Sequence, residues 1–130
     1  MYKIVRKKEL NSAVTLMDIE APFVAKKAKA GQFIIFRIDE KGERVPLTIA
    51  GYDRETIIFQ KVGFSTKALG ALNEGDYIHD FVGPLGRPTD VEGKKRVCVV
   101  GGGVGCAIAL PAAKAFLEAG AIVDVIIGFR

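Results

Sequence analysis

The residues of this 130-residue chain whose types and spacing could do chemistry are mostly glycines and hydroxyls, with few candidate acids, bases or metal ligands. The densest cluster is Gly101-Gly102-Gly103-Val104-Gly105, which follows the apolar run Val97-Cys98-Val99-Val100 and leads into a helix-like stretch at 106–119. A strand that breaks into glycines and restarts as a helix aims free backbone N–H groups and a positive dipole end at one point. That arrangement suits a pyrophosphate, although a turn that merely joins strand to helix reads the same way. The run is not a G-x-G-x-x-G fingerprint, because position 106 is Cys106. No acid closes the second strand either: Ile127-Gly128-Phe129 stands there, and Asp124 comes too early.

Three further clusters could contact a ligand. Arg44-Val45-Pro46-Leu47-Thr48-Ile49 reads as a strand ending in a hydroxyl and backbone amides. It could meet the polar edge of a flat heterocycle, with Pro46 and Leu47 as an apolar wall; an ordinary edge strand would look alike. Val62-Gly63-Phe64-Ser65-Thr66 precedes a short helix and offers a second anion site, or simple capping, with Ser65 or Thr66 as N-cap. Gly83-Pro84-Leu85-Gly86 reads as a turn at a domain border.

What the chain lacks narrows the function. The one histidine, His79, alternates within 77–82 and reads as structural. No Ser–His–acid triad and no carboxylate pair can be assembled, so no catalytic side chain is assigned. Two cysteines without CxxC or histidine spacing argue against a metal site and for a reducing compartment. Cys98 falls in a strand, and Cys106 is read as a small residue that permits close packing. No run has membrane-spanning length and the N-terminus has no signal-like apolar stretch, so the expectation is a cytoplasmic protein without a membrane partner. The net charge of +4 is spread over separated basic triplets near turns, which read as solvated faces and make nucleic acid an unfavoured partner. Two phosphate-grade loops without acid–base apparatus point to a protein whose cofactor does the chemistry. The competing class is a non-catalytic basic β-barrel that binds a protein or nucleic-acid partner.

The elements that must position these clusters follow from period-two patterning. Strands are expected over Tyr2–Glu9, 13–20, 32–38, 44–52, 56–62 and 77–82, with turns at Asn11-Ser12, Glu40-Lys41-Gly42 and Asp53-Arg54. The stretch 21–31 is a connection, and 65–72 is a short helix. Pro46 is tolerable only at an edge or bulge. The expectation is a mainly β chain: a six-stranded antiparallel barrel over 1–93, then a partial Rossmann-like βαβ unit over 94–130. The linker is 89–95. In that second unit the strands at 96–100 and 122–127 are apolar on both faces, and one helix cannot cover both, so self-association through 96–130 is expected.

The order of Pro46-Leu47-Thr48-Ile49, Gly63-Phe64-Ser65-Thr66, Gly83-Pro84-Leu85-Gly86 and Val99-Val100-Gly101-Gly102-Gly103-Val104-Gly105 resembles the ferredoxin–NADP reductase superfamily. The likeness covers essentially the whole chain. It is nearest to the N-terminal part of the dihydroorotate dehydrogenase electron-transfer subunits and of the small subunits of NADH-dependent ferredoxin–NADP oxidoreductase. The resemblance implies a flavin-reductase-type barrel that binds FAD, with Pro46, Leu47 and Thr48 along the flavin ring and Ile58, Phe59 and Gln60 beside the ribityl chain. Gly63, Ser65 and Thr66 would hold the FAD pyrophosphate, and Gly101, Gly102, Gly103 and Gly105 the NAD(P)H side. The family pattern has arginine three residues before the hydroxyl, where this chain has Val45; Arg44 stands one residue earlier and is the candidate for a flavin phosphate. The implied function is transfer of electrons between NAD(P)H and an iron–sulfur centre, with a larger oxidoreductase subunit or a ferredoxin as partner. Family members continue with further βα units and, in the subunits named, a cysteine-bound [2Fe–2S] cluster. The chain is therefore expected to be a truncated form that, by itself, oxidises little NAD(P)H.

Overall fold

The computed structural model describes residues 1–52 and 54–130. Alternating apolar residues fold into β1 (Tyr2–Glu9), β2 (Val14–Ile19), β3 (Phe33–Arg37), β4 (Val45–Gly51) and β5 (Thr56–Gln60). The last barrel segment is two strands, β6 (Tyr77–Ile78) and β7 (Asp80–Leu85). Their order in the sheet is β6-β1-β2-β5-β4-β3-β7, seven strands where six are expected. The reason is a change of partner at His79. Tyr77 and Ile78 pair with Lys3 and Tyr2 of β1, whereas Asp80, Phe81 and Val82 pair with Arg37, Phe36 and Ile35 of β3. Because β6 and β7 stand at opposite ends of the order yet adjoin in the chain, this one switch closes the barrel.

His79 itself is held there, with its backbone N–H donating to the Ile38 carbonyl at 3.3 Å and Nδ1 lying 3.1 Å from Asp80 Oδ1. Arg37 Nε donates to the other Asp80 oxygen at 2.6 Å. Burial alone would raise the Asp80 carboxyl, but the hydrogen bonds from His79 and Arg37 outweigh it and leave it below its ordinary range. The histidine and its neighbours thus anchor the strand switch.

Two further expectations change. β7 runs through Gly83-Pro84-Leu85 up to Gly86, so this motif continues the strand and does not form a border turn. The connection at 21–31 contains a helix, α1 (Pro22–Lys27), which starts with proline at a position where no backbone N–H is needed. The turn expected at Asp53-Arg54 falls in part on Asp53, outside the described residues. Pro46 does sit where β4 has a free side: it registers with Ile35 of β3, while β5 joins β4 only from Ile49 onward.

Ile4, Met17, Ile34, Phe36, Ile49, Ile57, Phe59 and Phe81 fill the barrel, joined by Val24 of α1 and by Leu69 of α2 (Phe64–Ala71). Beyond the barrel, β8 (Arg96–Gly102) and β9 (Ile122–Gly128) pair in parallel around α3 (Cys106–Glu118). This is the expected βαβ unit. α3 packs on β8, β9 and β4, and the single 3-10 turn Gly103–Gly105 rests against β5.

One buried group runs against this economy. Glu55, in the β4–β5 turn at φ 50°, is fully buried, and neither carboxylate oxygen has a hydrogen-bond partner among the described residues. Burial pushes its carboxyl from 4.5 up to about 7. Burial, and then the nearby Glu55 charge, pushes the Tyr52 phenol up to about 12. The folded chain holds the Glu55 proton more tightly than the unfolded chain does. That contribution to stability is fully present below pH 4.5 and is lost as pH rises through 7, on the order of 3 kcal/mol in all. Urea unfolding across this range should show the decline, and Glu55→Gln should flatten it. Parallel pH profiles for the two proteins would show that Glu55 is not its source.

Candidate functional site

The pleat of β4 and β5 sorts the candidate residues. Ile49, Ile57 and Phe59 point inward and are buried, so Pro46, Thr48, Ile58 and Gln60 lie on the outer surface. Two expectations need correcting on this ground. Phe59 is a core side chain, 1% exposed, and only its backbone is left for a ligand. Leu47 packs against the core, so Pro46 provides the apolar outer surface without it. Val45 also packs on the core, whereas Arg44, just ahead of the strand, is exposed.

β2 extends the same outer surface, since Leu16 and Val14 register with Ile58 and Gln60. The glycine turn faces it. Together they enclose a cleft of about 1050 Å³, with Val14, Ile58 and Gln60 on one wall and Gly103, Val104, Cys106 and Ala107 on the other. Leu10, Asn11 and Ala13 of the β1–β2 turn and Gly128, Phe129 and Arg130 complete its lining. The sequence clusters at 58–60 and 101–105 therefore meet in one place. Asn11, Val14 and Phe129 were missed because nothing in their local pattern marks them; only strand register brings them here.

Within the glycine run the roles divide. Gly101 is buried beneath α3, and a Cβ there would stand 2.9 Å from the Ala109 Cβ and 3.0 Å from the Cys106 Cα, so this glycine serves close packing. Gly103 adopts φ +57°, the left-handed region that turns the chain from strand to helix. Gly102 and Gly103 are exposed and Gly105 half-buried. Cys106 Sγ lies 3.5 Å from the Gly101 carbonyl, as a small packing residue does. Asp124 accepts from Arg96 Nε and Nη2 at 3.2 and 3.1 Å, at the start of the sheet and away from the glycine turn.

The second anion candidate is built at the start of α2. Gly63, and neither Ser65 nor Thr66, occupies the N-cap. Thr66 reaches back from the third helical position, where its Oγ1 accepts from the Val62 and Gly63 N–H groups at 3.0 Å each. Lys67 N–H makes the first helical bond, 2.9 Å to the Gly63 carbonyl. The N–H groups of Phe64, Ser65 and Thr66 thus precede the helical ladder. Ser65, 8% exposed, donates its hydroxyl to Glu43 Oε1. This contact ties the entry to β4 to the head of α2, so the 44–48 and 63–66 clusters adjoin as well. Glu43 was not among the sequence candidates.

A second, smaller cavity of about 360 Å³ lies between the barrel and α3, lined by residues including Arg6, Asp18, Arg54, Thr56 and Lys114. Among the described residues, no group of three or more His, Cys, Asp or Glu could hold a metal ion, and no helix is long and apolar enough to cross a membrane.

No protein-family model matches the chain. Individual proteins do. The chain is 57% identical over its full length to an uncharacterized protein in the adh 3' region of Clostridium beijerinckii, covering 48% of that protein. It is 43% identical, again over its full length, to the dihydroorotate dehydrogenase B (NAD(+)) electron transfer subunit homolog of Thermotoga maritima, covering 48% of it. A solved structure of NADH-dependent reduced ferredoxin-NADP oxidoreductase, described for flavin-based electron bifurcation, superposes on the whole chain with a TM-score of 0.94 at 41% identity. The chain has the fold of ferredoxin–NADP reductases and is similar over its full length to these electron-transfer subunits. It spans about half the length of the relatives it matches, and 49% of the solved chain.

Thr66→Val keeps the side-chain shape and removes the oxygen that holds two loop N–H groups. It should lower the unfolding free energy by about 1–2 kcal/mol. Denaturant unfolding checks this, and an unchanged midpoint would show that the loop does not depend on the hydroxyl.

Proposed function

We propose that this chain is the FAD-binding electron-transfer part of an oxidoreductase that passes electrons between NAD(P)H and an iron–sulfur centre. The observation that carries the reading is the single cleft in which Ile58 and Gln60 of the outer barrel surface oppose Gly103 and Val104. At about 1050 Å³ it is as large as the upper range of ligand sites, enough for a flat ring system and a second group against it.

The residues present fit FAD by the chemistry of their donors. The unladdered N–H groups of Phe64, Ser65 and Thr66 suit a diphosphate, and exposed Arg44 adds a cation near by. Pro46 supplies apolar contact, and the Thr48 hydroxyl can bond the polar edge of the ring. Bound there, FAD would supply the ability to take up two electrons together and release them singly. The chain's own work is to bind, orient and shield: the barrel wall holds one face, and the glycine turn leaves room for close approach of a second dinucleotide on the other. Its partners are a larger oxidoreductase subunit or a ferredoxin, and its compartment the cytoplasm.

Added FAD should lose fluorescence on titration with the chain and co-elute with it in gel filtration. Thr48→Val should weaken binding by about 1 kcal/mol, close to fivefold, for one lost hydrogen bond. Free FAD that never co-elutes and keeps its fluorescence at saturating protein would overturn the flavin reading.

Self-association belongs to the same proposal. Val100, Ile122, Ile126 and Ile127 are each more than half exposed on β8 and β9, and Phe129 beyond them is 74% exposed. An apolar patch on a two-stranded sheet with open edges favours pairing. Sedimentation at low protein concentration should give a dimer, and Ile126→Lys should shift it to monomer. A strictly monomeric parent chain would end the idea.

A further inference from the structure

We propose that Glu43 limits the affinity of this chain for FAD by setting a carboxylate in competition with the cofactor diphosphate at the head of α2. The inference rests on the flavin reading above and adds a determinant that the family motifs do not contain. Glu43 precedes the Arg44–Thr48 segment and is exposed, yet its Oε1 accepts the hydroxyl of Ser65, the second residue of α2. The ion pairs among the described residues include neither Glu43 nor the adjacent Arg44. The carboxylate is therefore held by the helix head, whose free N–H groups and dipole favour negative charge.

Those are the groups a diphosphate would use. Ser65 has one hydroxyl proton to donate, so it can serve Glu43 or a phosphate oxygen, not both. If Glu43 stays, a carboxylate lies beside the entering diphosphate and the two repel. If it swings into solvent, its bond to Ser65 is given up first. Either way the charge on Glu43 weakens binding, and the penalty scales with the phosphate charge of the ligand. A glutamine side chain would keep the size and the acceptor oxygen but not the charge, so Glu43→Gln isolates the electrostatic part. Because Glu43 is exposed and outside the core, this substitution leaves the barrel packing untouched.

The test is a set of fluorescence titrations of the 130-residue chain with FAD and with riboflavin, which has the same ring and no phosphate. Glu43→Gln should tighten FAD binding about three- to tenfold at low ionic strength, with the gain shrinking as salt is added. Glu43→Ala should tighten it likewise, and riboflavin affinity should not change in either variant. Equal or weaker FAD affinity in Glu43→Gln, or an equal gain for riboflavin, would overturn the proposal. If the unaltered chain binds FAD and the variant merely matches it, the flavin reading stands and Glu43 alone falls. If neither protein binds FAD, both fall together.

Discussion

Two-residue alternation along β2, β4 and β5 is the constraint on which the rest of the structure depends. Every residue these strands send inward is lost to ligands, because Met17, Ile49, Ile57 and Phe59 are sealed in the barrel. Every residue they send outward lands on one continuous surface, because Leu16 registers with Ile58 and Ile49 with Ile57. That surface is where the βαβ unit docks, through α3 on β4 and the glycine turn on β5. A register slip of one residue would exchange the two sets, putting Phe59 in the cleft and Ile58 in the core. Core packing therefore specifies the candidate surface: the energy that buries the inner set is what holds the outer set in place.

Closure of the barrel gives this alternation its rigidity. An open sheet ending in β6 and β7 would expose two edges. The partner change at His79 instead gives β1 and β3 a neighbour each from a single continuous segment. The polar cluster of Arg37, His79 and Asp80 stands at that switch, so the chain's one histidine serves architecture. Glu55 is the counterexample. Its burial without a hydrogen-bond partner among the described residues opposes stability near neutral pH, and it lies in the β4–β5 turn, beside Thr56 and close to Tyr52, both of which line the smaller cavity. Local cost of this kind at a junction between packed units is where natural structures depart from the most stable arrangement.

Electrostatics at the cleft is a matter of few groups. Among the described residues, Arg130 is the one charged side chain that lines the cleft; at the head of α2, under the proposed reading, backbone N–H donors face an anion while Arg44 favours it and Glu43 opposes it. The donors that matter are main-chain groups, whose positions are set by helix starts and not by residue type.

Much of this was legible in the sequence. Alternation announced the strands and glycine after a β-branched run announced the strand-to-helix turn, because each depends on neighbours within a few residues; the order of four short motifs carried the family likeness. The free side of β4 at Pro46 was legible for the same reason: a residue without an N–H can sit only where no ladder bond is required. What depended on distant partners was not. Local pattern treats 77–82 as one strand, and only its two partners, 43 or more residues away in the chain, divide it at His79. The family resemblance grouped Ile58, Phe59 and Gln60 as one candidate; the closed barrel turned the middle one inward. The head of α2 looked like a place for Ser65 or Thr66 to cap, but Thr66 had to satisfy the loop from within the helix, and Ser65 found Glu43, 22 residues earlier. The sequence by itself determined most of the elements, since those follow from short-range sterics and hydrophobic period, and its motif order carried the family likeness. Tertiary structure decided which side of each element is open to a ligand, because facing is a property of pairing and closure that no single segment contains.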